Sequence, residues 1–273
     1  MKHLAICAIA ASLWAAGLGL VQPALAQPAP PNEAGVTMGH WHLNSQQVEA
    51  NKKIFVTLGG VAAKPGDFEI VKFPGVVVFL HQQAATPAPT GGTEGTVINH
   101  VGFIVPNVQE AFAKWKAAGV PIEMGKERTD QAWIMTGDRL KVEILEDKAQ
   151  TVPIKHHHVH FYVAESVIPE MQAWYVKHFG AKPGMRGRFQ AADIPGANLT
   201  FTKSDTPTVP TFGRVLDHIG FDVKDLDAFA KKLEADGVKL EGPVVSRPGG
   251  AKLAFVRDPW GTRIELNERP NPL

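Results

Sequence analysis

An internal repeat constrains this chain more than any other feature. Asn99-His100-Val101-Gly102-Phe103-Ile104-Val105 returns 118 positions later as Asp217-His218-Ile219-Gly220-Phe221-Asp222-Val223. His40-Trp41-His42-Leu43 returns at the same offset as His158-Val159-His160-Phe161, and His40 to His100 and His158 to His218 are both 60 apart. Lys141-Val142-Glu143-Ile144-Leu145 matches Arg263-Ile264-Glu265-Leu266-Asn267 at an offset of 122, and Phe73-Pro74-Gly75 matches Ile194-Pro195-Gly196 at 121. These registers describe four modules of about 50–60 residues, arranged as two pairs. A unit of that size is one supersecondary element that must bury its apolar face against a neighbour.

Each module opens with an alternating strand and continues into a helix. Val108, Ala111, Phe112 and Trp115 fall at i, i+3, i+4 and i+7, as do Leu226, Phe229, Ala230 and Leu233. Asn107 with Glu110 forms a capping pair. Gly59, Gly119, Gly180 and Gly237 mark the helix ends. Short apolar runs such as Val76–Leu80, Ala132–Met135 and Leu253–Val256 read as strands, so the module is βαβββ. Ala84–Thr96 and Ser204–Gly213, rich in Pro, Gly and Thr, read as linkers, and a joint near Glu146–Pro153 connects the halves.

Residues two apart on a strand share a face. Ile219, Phe221 and Val223 form a packing face, so His218, Gly220 and Asp222 look the other way. The same alternation turns His100 and Gly102, His158, His160 and Tyr162, and His40 and His42 away from the helices. On the last strands, Glu143 and Glu265 are turned from the packing neighbours Val142 and Ile144, and Ile264 and Leu266. The repeated histidines and glutamates therefore all lie on the uncovered face. Gly102 and Gly220 leave room beside two of them.

Composition narrows the class. The chain has 273 residues, 44% hydrophobic and 20% charged, with 26 Gly and 21 Pro, which excludes a disordered or collagenous chain. Lys2 and His3, the apolar run Leu4–Val21 and Ala24-Leu25-Ala26 read as a signal peptide over residues 1–26, which predicts a periplasmic or secreted protein. Without it, basic and acidic residues balance at 27 each, so a charge footprint for nucleic acid or an anionic membrane is missing. The one cysteine, Cys7, lies in the signal, which removes disulfides and Cys-ligated zinc from the mature chain. Residues 27–37 read as a flexible lead-in.

The βαβββ repeats, the His-x-Gly-Phe openings and the closing Arg257-Asp258-Pro259-Trp260-Gly261-Thr262-Arg263-Ile264-Glu265-Leu266 resemble the vicinal-oxygen-chelate superfamily. That group includes glyoxalases, extradiol dioxygenases and antibiotic-binding proteins. The resemblance implies an α+β fold in which modules pair into cup-shaped sheets holding a divalent metal (Fe, Mn, Ni or Zn). Adjacent modules are expected to pair, giving an N-terminal domain over 38–147 and a C-terminal one over 155–269. Carried over by position, the implied ligands are His158 or His160, His218 and Glu265 in the C-terminal cup. In the N-terminal cup they are His40 or His42, His100 and Glu143. Two histidines and a carboxylate leave open metal positions for substrate. Trp133, Tyr162 and Trp260 are the expected substrate contacts, and Arg186 and Arg188 lie where an anionic substrate could be met. The odd modules lack a second glutamate, so the ligand count leans towards the dioxygenase arrangement, while Phe255 stands against ring cleavage.

The implied activity is that of an exported metal enzyme, a lyase, isomerase or ring-cleaving oxygenase, acting on a small molecule through two neighbouring oxygens. A metal-free binding or drug-sequestering protein of the same fold is the competing class, and a monomer or homodimer would serve either.

Overall fold

In the computed structural model, residues 28–82 and 91–270 are described. The signal segment and Cys7 lie outside them, as does part of the first linker. Four βαβββ modules follow one another. The first comprises β1 (Val36–Ser45), α1 (Val48–Leu58), β2 (Val61–Ala63), β3 (Glu69–Phe73) and β4 (Val76–Gln82). The second is β5 (Ile98–Val105), α2 (Val108–Ala117), β6 (Ile122–Met124), β7 (Gln131–Met135) and β8 (Lys141–Glu146). The third is β9 (Lys155–Val163), α3 (Ile168–Phe179), β10 (Lys182–Arg186), β11 (Phe189–Ile194) and β12 (Ala197–Lys203). The fourth is β13 (Leu216–Val223), α4 (Leu226–Ala235), β14 (Val245–Ser246), β15 (Lys252–Arg257) and β16 (Arg263–Glu268). No helix among the described residues is long and apolar enough to cross a membrane.

The local signals behave as their chemistry requires. Asn107 accepts from the Glu110 amide at 3.1 Å, and Asp225 does the same for Ala228 at 3.0 Å, satisfying an otherwise orphaned donor at each N-terminus. Glu146 and Glu268 close their own modules by accepting from the first amides of α2 and α4, at 3.1 and 2.8 Å. The four helix-closing glycines all adopt positive φ.

Module pairing departs from the expectation. One eight-stranded sheet has the order β14-β15-β16-β13-β1-β4-β3-β2 and the other β10-β11-β12-β9-β5-β8-β7-β6. The first module therefore shares a sheet with the fourth and the second with the third, through antiparallel opening strands. The divisions 38–147 and 155–269 do not correspond to the two sheets. Adjacent modules instead meet across the molecule. Trp41 packs on Phe103 and His156 at ring distances of 5.2 and 5.0 Å, and Phe73 lies 4.6 Å from Phe103. The repeated Pro-Gly turns form reciprocal joints: the His156 amide donates to Pro74 and the Met38 amide to Pro195, both at 2.9 Å. Asn51 Nδ2 reaches Asp138 at 2.7 Å, and Tyr175 Oη donates to Asp258 at 2.9 Å, each tying a helix to the turn of the next module. Burying these convex apolar faces back to back places modules 1 and 2 on opposite sheets.

Two smaller expectations also change. The stretch 27–37 is docked rather than loose over its described part, because Asn32 Nδ2 donates to the carbonyls of Phe179 and Gly180 and β1 already begins at Val36. The two linkers also touch, with Thr96 bridged to Val209.

Candidate metal centre

Each sheet curls so that the face turned from the helices becomes a cup. In the first cup, formed by modules 1 and 4, one ligand atom from each of His40, His42, His218 and Glu265 lies within 4.8 Å of the others. In the second cup, formed by modules 2 and 3, His100, Glu143, His158 and His160 do the same. All eight residues expected from the sequence are thus gathered in cups, but in different company. His158 and His160 sit with His100 and Glu143, not with His218 and Glu265. His40 and His42 sit with His218 and Glu265. The regrouping follows directly from the sheet pairing.

The two glycines explain how a histidine from one module reaches the other. Gly102 is in register with His158 across β5 and β9, and Gly220 with His40 across β13 and β1. A Cβ on Gly102 would fall 2.0 Å from Cε1 of His158, and one on Gly220 1.9 Å from Cε1 of His40. Only glycine lets the facing imidazole lie over the strand. Modules 1 and 3 carry His-x-His at this position, and modules 2 and 4 carry His-x-Gly with the later glutamate. The positions on β4 and β12 opposite His42 and His160 hold Phe79 and Thr200.

The two centres share one geometry. Oε2 of Glu265 lies 2.8 Å from Nε2 of His218 and 3.3 Å from Nε2 of His40. Oε2 of Glu143 lies 2.9 Å from Nε2 of His158 and 3.4 Å from Nε2 of His100. His158 Nε2 and Glu143 Oε2 are buried and make no hydrogen bond despite their proximity. Buried polar atoms left in this way require a partner, and a cation bound between them would satisfy both. The donor set, imidazole nitrogen with one carboxylate, suits Zn, Fe, Ni or Mn. The residues present therefore fit a divalent metal.

Electrostatics favour the same conclusion. Burial lowers the imidazoles of His40, His100 and His158 below their ordinary value, and pushes His42 down to about 3. For Glu143 and Glu265 burial alone would raise the carboxyl, but the close imidazoles of His100 and His158, and of His218 and His40, more than offset it and hold both glutamates ionised. Neutral imidazole and ionised carboxylate are the forms that ligate metal. His218 differs. Desolvation lowers it, yet Asp217 at 2.7 Å and Glu265 raise it above the ordinary value.

The shells around the ligands repeat with substitutions. Asn99 Oδ1 accepts from His100 Nδ1 at 2.9 Å where Asp217 meets His218. Trp133 stands edge-on to His100 at 4.9 Å, as Phe255 does to His218 at 5.3 Å. Tyr162 lies 5.2 Å from His160. Trp133 and Tyr162 thus both border the second cup. Trp260 does not reach either cup: it packs against Trp174 on the helical side, because its turn is tied to buried Asp258. Arg186, one of the two arginines expected where an anionic substrate could be met, lies on a strand. It ends β10 and points into the second cup, with Nη2 3.1 Å from His160 Nδ1 and Nη1 3.9 Å from Glu143. Arg269 reaches His40 in the first cup at 3.5 Å and pairs with Asp222. Strand alternation places Asp222 on this face, but Arg269 follows the last strand and carries no periodic signal.

A cavity of about 550 Å³ opens over the first cluster, with Phe68, Phe79, Leu253 and Phe255 among its walls and Arg247 and Arg269 at its rim.

Residues 155–266 match the profile of the Glyoxalase/Bleomycin resistance protein/Dioxygenase superfamily. A glyoxalase I variant from Zea mays superposes with a TM-score of 0.68 at 17% identity, covering 85% of this chain and 92% of that one. The matched stretch, modules 3 and 4, carries this superfamily's pattern. The glyoxalase I of Zea mays itself gives a TM-score of 0.64 at 15% identity, with 85% and 92% coverage. A Bacillus subtilis subsp. subtilis str. 168 protein proposed to be a dioxygenase gives 0.62 at 15% identity, with 86% and 85% coverage. At these identities the superpositions establish the fold alone, and that fold extends through both halves. No curated protein matches by sequence.

Proposed function

We propose that the whole chain is a member of that superfamily and a divalent-metal enzyme that acts on a small substrate presenting two neighbouring oxygens. The carrying observation is the convergence of three imidazoles and one carboxylate, within 4.8 Å of one another, at the floor of a cavity. His40, His218 and Glu265 would hold the metal in the first cup, with His42 available as a fourth ligand. The bound metal supplies Lewis acidity that stabilises negative charge developing on substrate oxygen.

The chain's own residues do the rest. Phe79, Phe255 and Leu253 wall the cavity with apolar surface and exclude water, which strengthens polar interactions at its floor. Arg247, exposed where it lines the cavity, suits a substrate carrying an anionic group, while Arg269 is held by Asp222. Asp217 orients His218 through Nδ1 and is itself held by Arg263 at 3.0 Å and by the Gly213 amide at 2.8 Å. Phenylalanines, rather than hydroxyls, flank the cluster, so Glu265 and His42 are the groups best placed to carry a proton. That favours proton transfer, in a lyase or isomerase, over ring cleavage.

The reading is tested by metal analysis of the purified mature protein with His218→Ala and His100→Ala. Metal content should fall in the His218→Ala variant, and any fall in His100→Ala reports occupancy of the second cup. Less than ~0.2 metal per chain in the unaltered protein, with no thermal stabilisation by Fe(II), Mn(II), Ni(II) or Zn(II), would leave a metal-free binding protein instead. Residues 1–26 support export, and N-terminal sequencing of the periplasmic fraction should then begin at Gln27.

A further inference from the structure

We propose that the two cups take different cargo: the first binds a divalent cation by itself, and the second binds one only together with an oxyanion that pairs with Arg186. This rests on the metal-enzyme reading above.

The difference is one of charge. Around the first cluster stand the carboxylates of Glu265, Asp217 and Asp222, against the guanidiniums of Arg263 and Arg269. Both cations are occupied away from the ligating carboxylate, Arg263 by Asp217 and Glu241 and Arg269 by Asp222. Glu265 is thus free to face a metal, with no guanidinium paired to it. The second cup substitutes at each of these points. Neutral Asn99 stands where the first has Asp217, and Ile104 stands where it has Asp222. Its Glu143 already faces a cation, the guanidinium of Arg186, whose side chain is four-fifths buried.

A divalent ion entering the second cup must displace Arg186 from Glu143 and leave a buried guanidinium unpaired. An unpaired buried charge is strongly unfavourable. Arg186 Nε is already buried without a partner, and the guanidinium fork matches the oxygens of a carboxylate, sulfate or phosphate. An oxyanion on Arg186 restores the balance, so cation and anion bind there as a pair. In chemical terms the second cup selects an anionic ligand.

The probe is Co(II), titrated into the metal-free full chain in a zwitterionic buffer with and without added sulfate, and followed by its visible absorption and by equilibrium dialysis. Without sulfate, one Co(II) per chain should bind at least about tenfold more tightly than a second. His218→Ala should abolish the tight site and His100→Ala should leave it. Sulfate should tighten the second site and leave the first unchanged. Arg186→Gln should bind both ions without sulfate and lose the sulfate effect. Asn99→Asp, which adds a carboxylate behind His100, should tighten the second site in the same direction. Two equal sites without sulfate, or a second site indifferent to both sulfate and Arg186→Gln, would overturn the proposal. Absence of any Co(II) binding would instead remove the metal reading on which it rests.

Discussion

Gly220→Ala offers the most direct test of how the first cup is assembled. The added methyl would fall 1.9 Å from Cε1 of His40, where ordinary contact begins near 3.4 Å, so the imidazole must retreat by about 1.5 Å. His40 is 1% exposed and is closed in by Phe79 and His218 at ring distances of 5.0 and 5.6 Å, which leaves little space for that retreat. Overpacking of this kind costs about 1–3 kcal/mol. A metal ligand tolerates only about 0.2 Å, so the tight metal site should also be lost. The assay is a double-mutant cycle by urea denaturation of the metal-free protein. Gly220→Ala should destabilise the unaltered chain by that amount and a His40→Ala chain by less than about 0.5 kcal/mol, because the clashing ring is gone. Were the penalty equal in both backgrounds, Gly220 would not be sited to admit His40, and the cross-module assembly would be wrong. The equivalent pair is Gly102 with His158.

Other outcomes follow from the same structure. Tyr175→Phe removes the Tyr175 donor to buried Asp258, whose carboxyl is raised by burial, and should cost about 1–2 kcal/mol at pH 7. A carboxyl raised on folding stabilises most below its unfolded value and loses that contribution as pH rises through the folded value, so the defect should shrink by pH 4; an equal loss at both pH values in urea melts would contradict this. Asn51→Ala, which removes hydrogen bonds to Ser45 and Asp138, should cost about 1–3 kcal/mol by chemical denaturation, and a neutral effect would show that this link between modules 1 and 2 is not structural. Removing metal with a chelator from protein saturated at 100 times Kd should lower stability by about 2.7 kcal/mol per site. At this chain length that is about 5–10 °C in a thermal melt, and an unchanged Tm would argue that the cups are not metal sites.

Much of the molecule was legible in the order of its residues. The repeat yielded four βαβββ modules, and strand alternation placed every repeated histidine and both glutamates on the inner face, where all eight are found. Both properties are local, since strand period and helix period depend only on neighbours within a few residues. Trp260 was misjudged because its turn sits one residue pattern away from a cup strand, while Tyr175–Asp258 pulls that turn to the helical side. Arg186 was legible as a residue that could meet an anionic substrate but not as part of a strand, because nothing in Gly184-Met185-Arg186 distinguishes a loop from an edge strand.

The sequence by itself determined the modules and their faces; the complementarity between His-x-His and His-x-Gly is visible only once the sheets show a facing imidazole lying over each glycine. That complementarity requires each odd module to join an even one, and it is satisfied equally by 1 with 2 and by 1 with 4. Only the tertiary structure decided between them. The choice depends on burying Trp41, Phe73, Phe103 and His156 between the two sheets and on the reciprocal Pro-Gly joints, contacts between residues far apart in the chain that no local pattern encodes.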